Sequence, residues 1–161
     1  MTTLSEIVQM SAMLKYAKPR SGETVAYKYV YAKPNQLDLD EIALMSVCQS
    51  RLGGWAVEYH QNKWVEPRLE YSKLFAYDSL EQARARNMMG NILLFRCLVT
   101  DIESLGCRGV DRHCNPESYW SPGGLIACYH TPKSEDDREF MERFNQGIIL
   151  VPKIKLLDVV T

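Results

Sequence analysis

Five cysteines and three histidines are the residues in this chain best equipped to do chemistry. Cys107, His113 and Cys114 share one stretch, and Cys97, Cys128 and His130 fall on two expected strands that should be neighbours, so ligands suited to zinc are present in number. Structural zinc sites place paired ligands about two to four residues apart. Here Cys107 and Cys114 are seven apart, and His113 and Cys114 are adjacent. That spacing argues against a metal centre, and packed thiols explain these cysteines more simply. A Cys and His pair can also act as nucleophile and base, because a nearby imidazole raises the thiolate fraction. Nothing in the sequence brings a particular pair together, and no cofactor is expected. The carboxylates of Asp38, Asp40 and Glu41, and of Glu135, Asp136 and Asp137, fall at expected helix starts, where the helix dipole accounts for them. Glu58 and His60 lie among Trp55, Tyr59 and Trp64, but a half-exposed strand with mixed faces explains this segment more simply than an acid-base pair.

The remaining chemical signal is aromatic. Tyr and Trp bury large area with few rotors to freeze, which suits them to anchor interfaces. Tyr119 and Trp120, with Arg112 and His113 close by and Trp64 in an earlier segment, are therefore the candidate binding residues. All but Trp64 lie in the run 103–124. It is punctuated by Gly106, Gly109, Asn115-Pro116 and Ser121-Pro122 and sustains no period, which predicts a long irregular loop.

The elements that must position these residues follow from periodicity and punctuation. Thr3-Leu4-Ser5-Glu6 has the form of a capping box and opens a helix from Leu4 to about Ala17. From Thr24 to Ala32, Val25, Tyr27, Tyr29 and Tyr31 fall on one side and Lys28 on the other, which predicts a strand. A second helix is expected after Asp38 or Asp40, through Ile42, Met45, Cys48 and Leu52 to Gly53-Gly54. The segment 55–66 reads as a hairpin. Lys73 to Thr100 then forms a β-α-β unit: a strand to Tyr77, a Ser79-capped helix from Leu80 to Met89, and a strand centred on Ile92 to Val99. Near-continuous apolar character predicts that this last strand is central to the sheet. Leu125 to His130 reads as strand, Ser134 opens an acidic helix that Gly147 ends, and Ile148 to Val160 reads as closing strands broken at Pro152.

A chain of 161 residues suits one domain with its own core. The net charge of -1 provides no overall field for a polyanion, so bulk charge indicates no nucleic-acid partner. An odd cysteine count and the lack of a charged-then-apolar start favour a cytoplasmic setting. No window approaches the about 18 apolar residues of a membrane span, so a soluble protein is expected.

Leu74-Phe75-Ala76-Tyr77-Asp78-Ser79-Leu80-Glu81-Gln82-Ala83 together with Gly147-Ile148-Ile149-Leu150-Val151 resembles a pattern in small uncharacterised phage and bacterial proteins, some of them similar to the ADP-ribosyltransferase fold. The likeness covers about half the chain. That family implies an Arg or His on its first core strand and a catalytic Glu on a late strand. Tyr27-Lys28-Tyr29-Val30-Tyr31 has neither, and Ile148 to Leu157 has no Glu, so no catalytic residue carries over. The reading is a single α+β domain over 1–161: a mostly antiparallel curved sheet of five to seven strands with three or four helices. The function expected is a non-enzymatic protein-interaction or inhibitor module of phage or bacterial type. The alternative is a small transferase or hydrolase with a cleft between 55–66 and 103–124.

Overall fold

The capping box at Thr3 forms as its spacing requires: the Glu6 amide donates to Thr3 Oγ1 at 3.1 Å, and the Thr3 amide donates to Glu6 Oε2 at 3.1 Å. The structure, a computed structural model, describes residues 2–46, 57–68, 73–86, 88–104, 109–110, 129–130 and 134–160. In chain order they form β1 (Thr2–Thr3), α1 (Leu4–Leu14), β2 (Thr24–Pro34), β3 (Glu41–Ser46), β4 (Glu58–Tyr59), β5 (Trp64–Val65), β6 (Leu74–Tyr77) and α2 (Leu80–Arg84). There follow β7 (Ile92–Val99), β8 (Glu103–Ser104), β9 (Gly109–Val110), β10 (Tyr129–His130), α3 (Glu135–Phe144), β11 (Ile148–Val151) and β12 (Ile154–Val159).

This is an α+β domain: an open antiparallel sheet of ten strands, with three helices among the described residues. The sheet exceeds the expected five to seven strands because β1, β4, β5 and β8 are two-residue margins, too short to leave a periodic signal. Its main path runs β5-β12-β7-β2-β6-β11-β8. As expected, β7 is interior: β2 pairs along one edge from Thr24↔Val99 to Tyr31↔Ile92, and β12 pairs along the other. Because β2 is antiparallel to both β6 and β7 and lies between them, the two run parallel, joined through α2. The expected β-α-β unit is thus split by an inserted strand.

Chain continuity makes the sheet coil. Only Pro152 and Lys153 join β11 to β12, so Val151 and Ile154 are at most about 11 Å apart. In a flat sheet the four inter-strand steps from β11 through β6, β2 and β7 to β12 would separate them by about 19 Å. The sheet wraps instead around a single core, which takes Val30, Leu44, Tyr59, Ala76, Phe95, Cys97, Val151 and Leu156 from seven strands and Ile7 from α1. The break at Pro152 is the corner of that wrap.

Three expectations are corrected. Residues 41–46 are strand, not helix, and burial alternates with Ile42, Leu44 and Ser46 inward. The local cause is the turn before them, where the Asp40 amide donates to Asp38 Oδ1 and the Glu41 amide donates to Asp38 O. The Asp38 carboxylate therefore closes a hairpin bend rather than capping a helix. The rest of that expected helix, with Cys48, lies outside the described residues. The segment 55–66 does not form a hairpin in its described part: β4 pairs with β3, and β5 pairs with β12. The third concerns the helix expected from Leu80 to Met89, which ends at Arg84. The core face of β2 carries the small Ala26 and Val30, while Tyr27, Tyr29 and Tyr31 sit half-buried on the opposite face.

On that face Tyr29 donates its hydroxyl hydrogen to Ala83 O at 2.7 Å, which seats α2 against the sheet with Ala83 fully buried. Gly147 ends α3 with φ +82, and a Cβ there would lie 2.5 Å from Gln82 Cγ. A left-handed turn and the close approach of α2 both require glycine at this position.

Candidate functional site

Inside the wrap, one strand offers chemistry. Lys28 shares the inward face of β2 with Ala26 and Val30; its Nζ donates to Phe75 O at 2.6 Å and lies 5.9 Å from the Tyr59 ring centroid. Cys97, on the adjacent β7, is a fully buried free thiol. Burial pushes that thiol up to about 12, against the opposing pull of the Lys28 and Arg96 charges. Burial likewise raises the Tyr59 phenol, and neighbouring Cys97 adds to the effect. Near neutral pH both groups therefore hold their protons, and Cys97 lacks the thiolate a nucleophile needs. The Tyr59 hydroxyl is buried and finds no hydrogen-bond partner among the described residues. This trio is a core feature with one polar end.

Two surface regions are better placed to meet a partner. The first is the tip of the β2-β3 hairpin. Its turn is held by Asn35 N to Glu41 O at 2.9 Å, and by Leu37 N to Asn35 Oδ1 at 2.9 Å. This geometry projects Leu37, 97% exposed, and Leu39, 78% exposed. Because β1 pairs Thr3 with Glu41, the chain enters α1 beside Asp40, and that first turn presents Leu4, 57% exposed, and Val8, 66% exposed. Glu6, Asp38 and Asp40 are exposed around these four residues, and Lys33 is exposed on the hairpin stem. Periodicity misses this tip because its leucines belong to no buried face; the Asx-type turn residues between two apolar runs were the available signal.

The second region is the β5 margin. Trp64 is half-buried and paired with Lys155 across the β5-β12 ladder, and the ammonium groups of Lys153 and Lys155 lie 4.6 and 5.7 Å from its ring centroid. The turn that delivers Trp64 is tied down from a distance: Asn62 N donates to Leu156 O at 2.8 Å, and Gln61 Nε2 donates to Leu157 O at 2.6 Å. Asn62 takes the left-handed conformation, φ 64, that this tight turn needs.

Of the residues singled out from sequence, Trp64 is placed. Arg112, His113, Tyr119 and Trp120, and the ligand candidates Cys107 and Cys114, lie outside the described residues. The strand of His130 pairs with β9 in a separate two-stranded ladder, so it does not neighbour the strand of Cys97 as expected. Among the described residues, no three His, Cys, Asp or Glu side chains gather as a metal site, and no helix is long and apolar enough to cross a membrane. No protein-family model matches this chain, no curated protein matches it, and no solved structure matches it.

Proposed function

We propose that this protein is a non-enzymatic interaction module that docks on another protein through the β2-β3 tip and the start of α1. The observation that carries this reading is the exposure of Leu37 and Leu39 on the hairpin tip, with the β1-β3 register bringing the exposed Leu4 in beside Asp40. Scattered single apolar residues on a surface are ordinary, but a group that register brings together marks a surface that is covered in use. Cys97, the one described thiol, is held protonated by burial and so offers no thiolate nucleophile. A cytoplasmic setting accords with Cys97 as a free thiol. Tyr119 and Trp120 are proposed as a second anchor in the same role.

The test immobilises the wild-type chain and the L37D/L39D and L4D/V8D variants and compares the proteins each retains from cell extract. A partner held at stoichiometric level by wild type and lost by both variants, with thermal midpoints unchanged, is the expected result. Identical retention by all three chains overturns the tip as the docking surface, and Y119A/W120A tests the second anchor in the same way.

A further inference from the structure

We propose that the β5 margin binds single-stranded nucleic acid, with the Trp64 indole as a platform for a base and Lys153 and Lys155 as the groups that take phosphate. Two like charges held within 6 Å of one ring centroid repel each other, and neither lysine has an ion-pair partner among the described residues. Cation-π attraction at a surface is worth only about 0.5–1 kcal/mol, so it offsets this crowding weakly. A phosphate between the two ammonium groups relieves it directly. The flat indole supplies what a simple anion would not use: base-aromatic stacking contributes about 1–3 kcal/mol per base and accepts any base, because each has a π-face.

The margin is also preorganised and open. Trp64 is fixed by the pinned turn before it, and β5 pairs only with β12 among the described residues. Lys63 and Arg68 are exposed at the two ends of this short segment, in line with a backbone running along it, and Glu66 is the one exposed carboxylate between them. The bulk charge of -1 conceals this because the 20 acidic residues of the whole chain offset its 19 basic ones in the sum. The site is separate from the apolar tip and does not depend on what binds there.

The experiment titrates the full chain into a fluorescein-labelled oligothymidine of about ten nucleotides and follows anisotropy. Saturable binding is expected, weakening about tenfold between about 50 and about 200 mM salt, as two or three phosphate contacts to a single strand require. K153Q/K155Q should lose at least about tenfold in affinity and flatten the salt dependence, with an unchanged thermal midpoint. W64F, which keeps a ring, should bind more tightly than W64L, and this contrast separates stacking from charge. The proposal is overturned by any of three results: no saturable binding, equal affinity of K153Q/K155Q and wild type, or heparin, inorganic phosphate or thymidine monophosphate competing as well as the oligomer at equal concentration of anionic groups.

Discussion

The hairpin tip and the β5 margin are both places where sheet pairing stops, yet they are built in opposite ways. The tip closes on itself: its hydrogen bonds join Asn35, Leu37, Asp38, Asp40 and Glu41, all within one short turn. The β5 margin is assembled from afar, with Gln61 reaching Leu157 across 96 positions and the lysines over Trp64 arriving from the other end of the chain. A locally closed surface keeps its shape when the core is perturbed. A surface assembled over distance reports on the core.

The largest expected effect is at Arg96, which ties the end of α1 to β12, the strand that carries the lysines of the β5 margin. Its Nε donates to Asp158 Oδ1 at 2.7 Å on β12, and its Nη atoms donate to Ala17 O at 2.9 Å and Leu14 O at 2.8 Å at the end of α1. Both members of the ion pair are largely buried, with side chains 16% exposed. R96A therefore leaves a carboxylate and a helix end without their donor, at a cost of about 3 kcal/mol in denaturant unfolding. A loss below about 1 kcal/mol would show that the Arg96 bonds add little to what packing and the Val159 N to Ser11 Oγ bond already supply between α1 and β12.

Gln61 sharpens the contrast. Its Nε2 donates to Leu157 O and to Ser11 Oγ, so Q61A should cost about 1–2 kcal/mol and loosen the turn that positions Trp64. Amide exchange should rise at Asn62, whose N–H is bonded to Leu156 O, and stay unchanged at Leu37 and Asp40 in the tip. Equal acceleration in both places would erase the distinction between them. Thr3→Ala acts on the other side: it removes the cap of α1 beside the tip, should cost about 1 kcal/mol, and should leave oligonucleotide binding at Trp64 as it was.

The same division decides what the sequence could show. The capping box, the buried strand at Ile92 to Val99, the bend at Pro152 and the stop at Gly147 are each written in a few adjacent residues, and each is found where it was expected. The strand at 41–46 was misread because Ile42, Met45 and Cys48 match a helical period as well as Ile42, Leu44 and Ser46 match a strand. The choice between them is made by pairing with β2 and by the Asp38 turn. The 55–66 segment was misread because its two halves take partners, β3 and β12, that lie far away in sequence. Alternation put Lys28 on the side of β2 opposite the tyrosines without saying which side is the core. Lys28 faces inward because the sheet coils around it, and its ammonium finds Phe75 O and the Tyr59 ring there. Trp64 could be singled out from sequence as a candidate, but the two lysines beside it could not, since only the finished β5-β12 ladder brings them over the ring.

The smallest expected effect separates the two regions by pH. Glu6, at the tip end of α1, has its carboxyl held below its ordinary 4.5, first by the Thr2 hydroxyl bond at 2.6 Å and then by the Thr3 amide. A depressed folded-state value means the unfolded chain takes up its proton first. The contribution is complete above 4.5 and disappears as pH falls through the lower folded-state value. Thermal midpoints followed from pH about 6 to about 2 should therefore fall less steeply in Thr2→Val than in wild type, because the variant keeps the strand residue and deletes the stronger of the two bonds to Glu6. Coincident acid limbs for the two proteins would mean that Glu6, fully exposed to solvent, gains nothing from Thr2. The tip would then owe its shape to the hairpin turn alone.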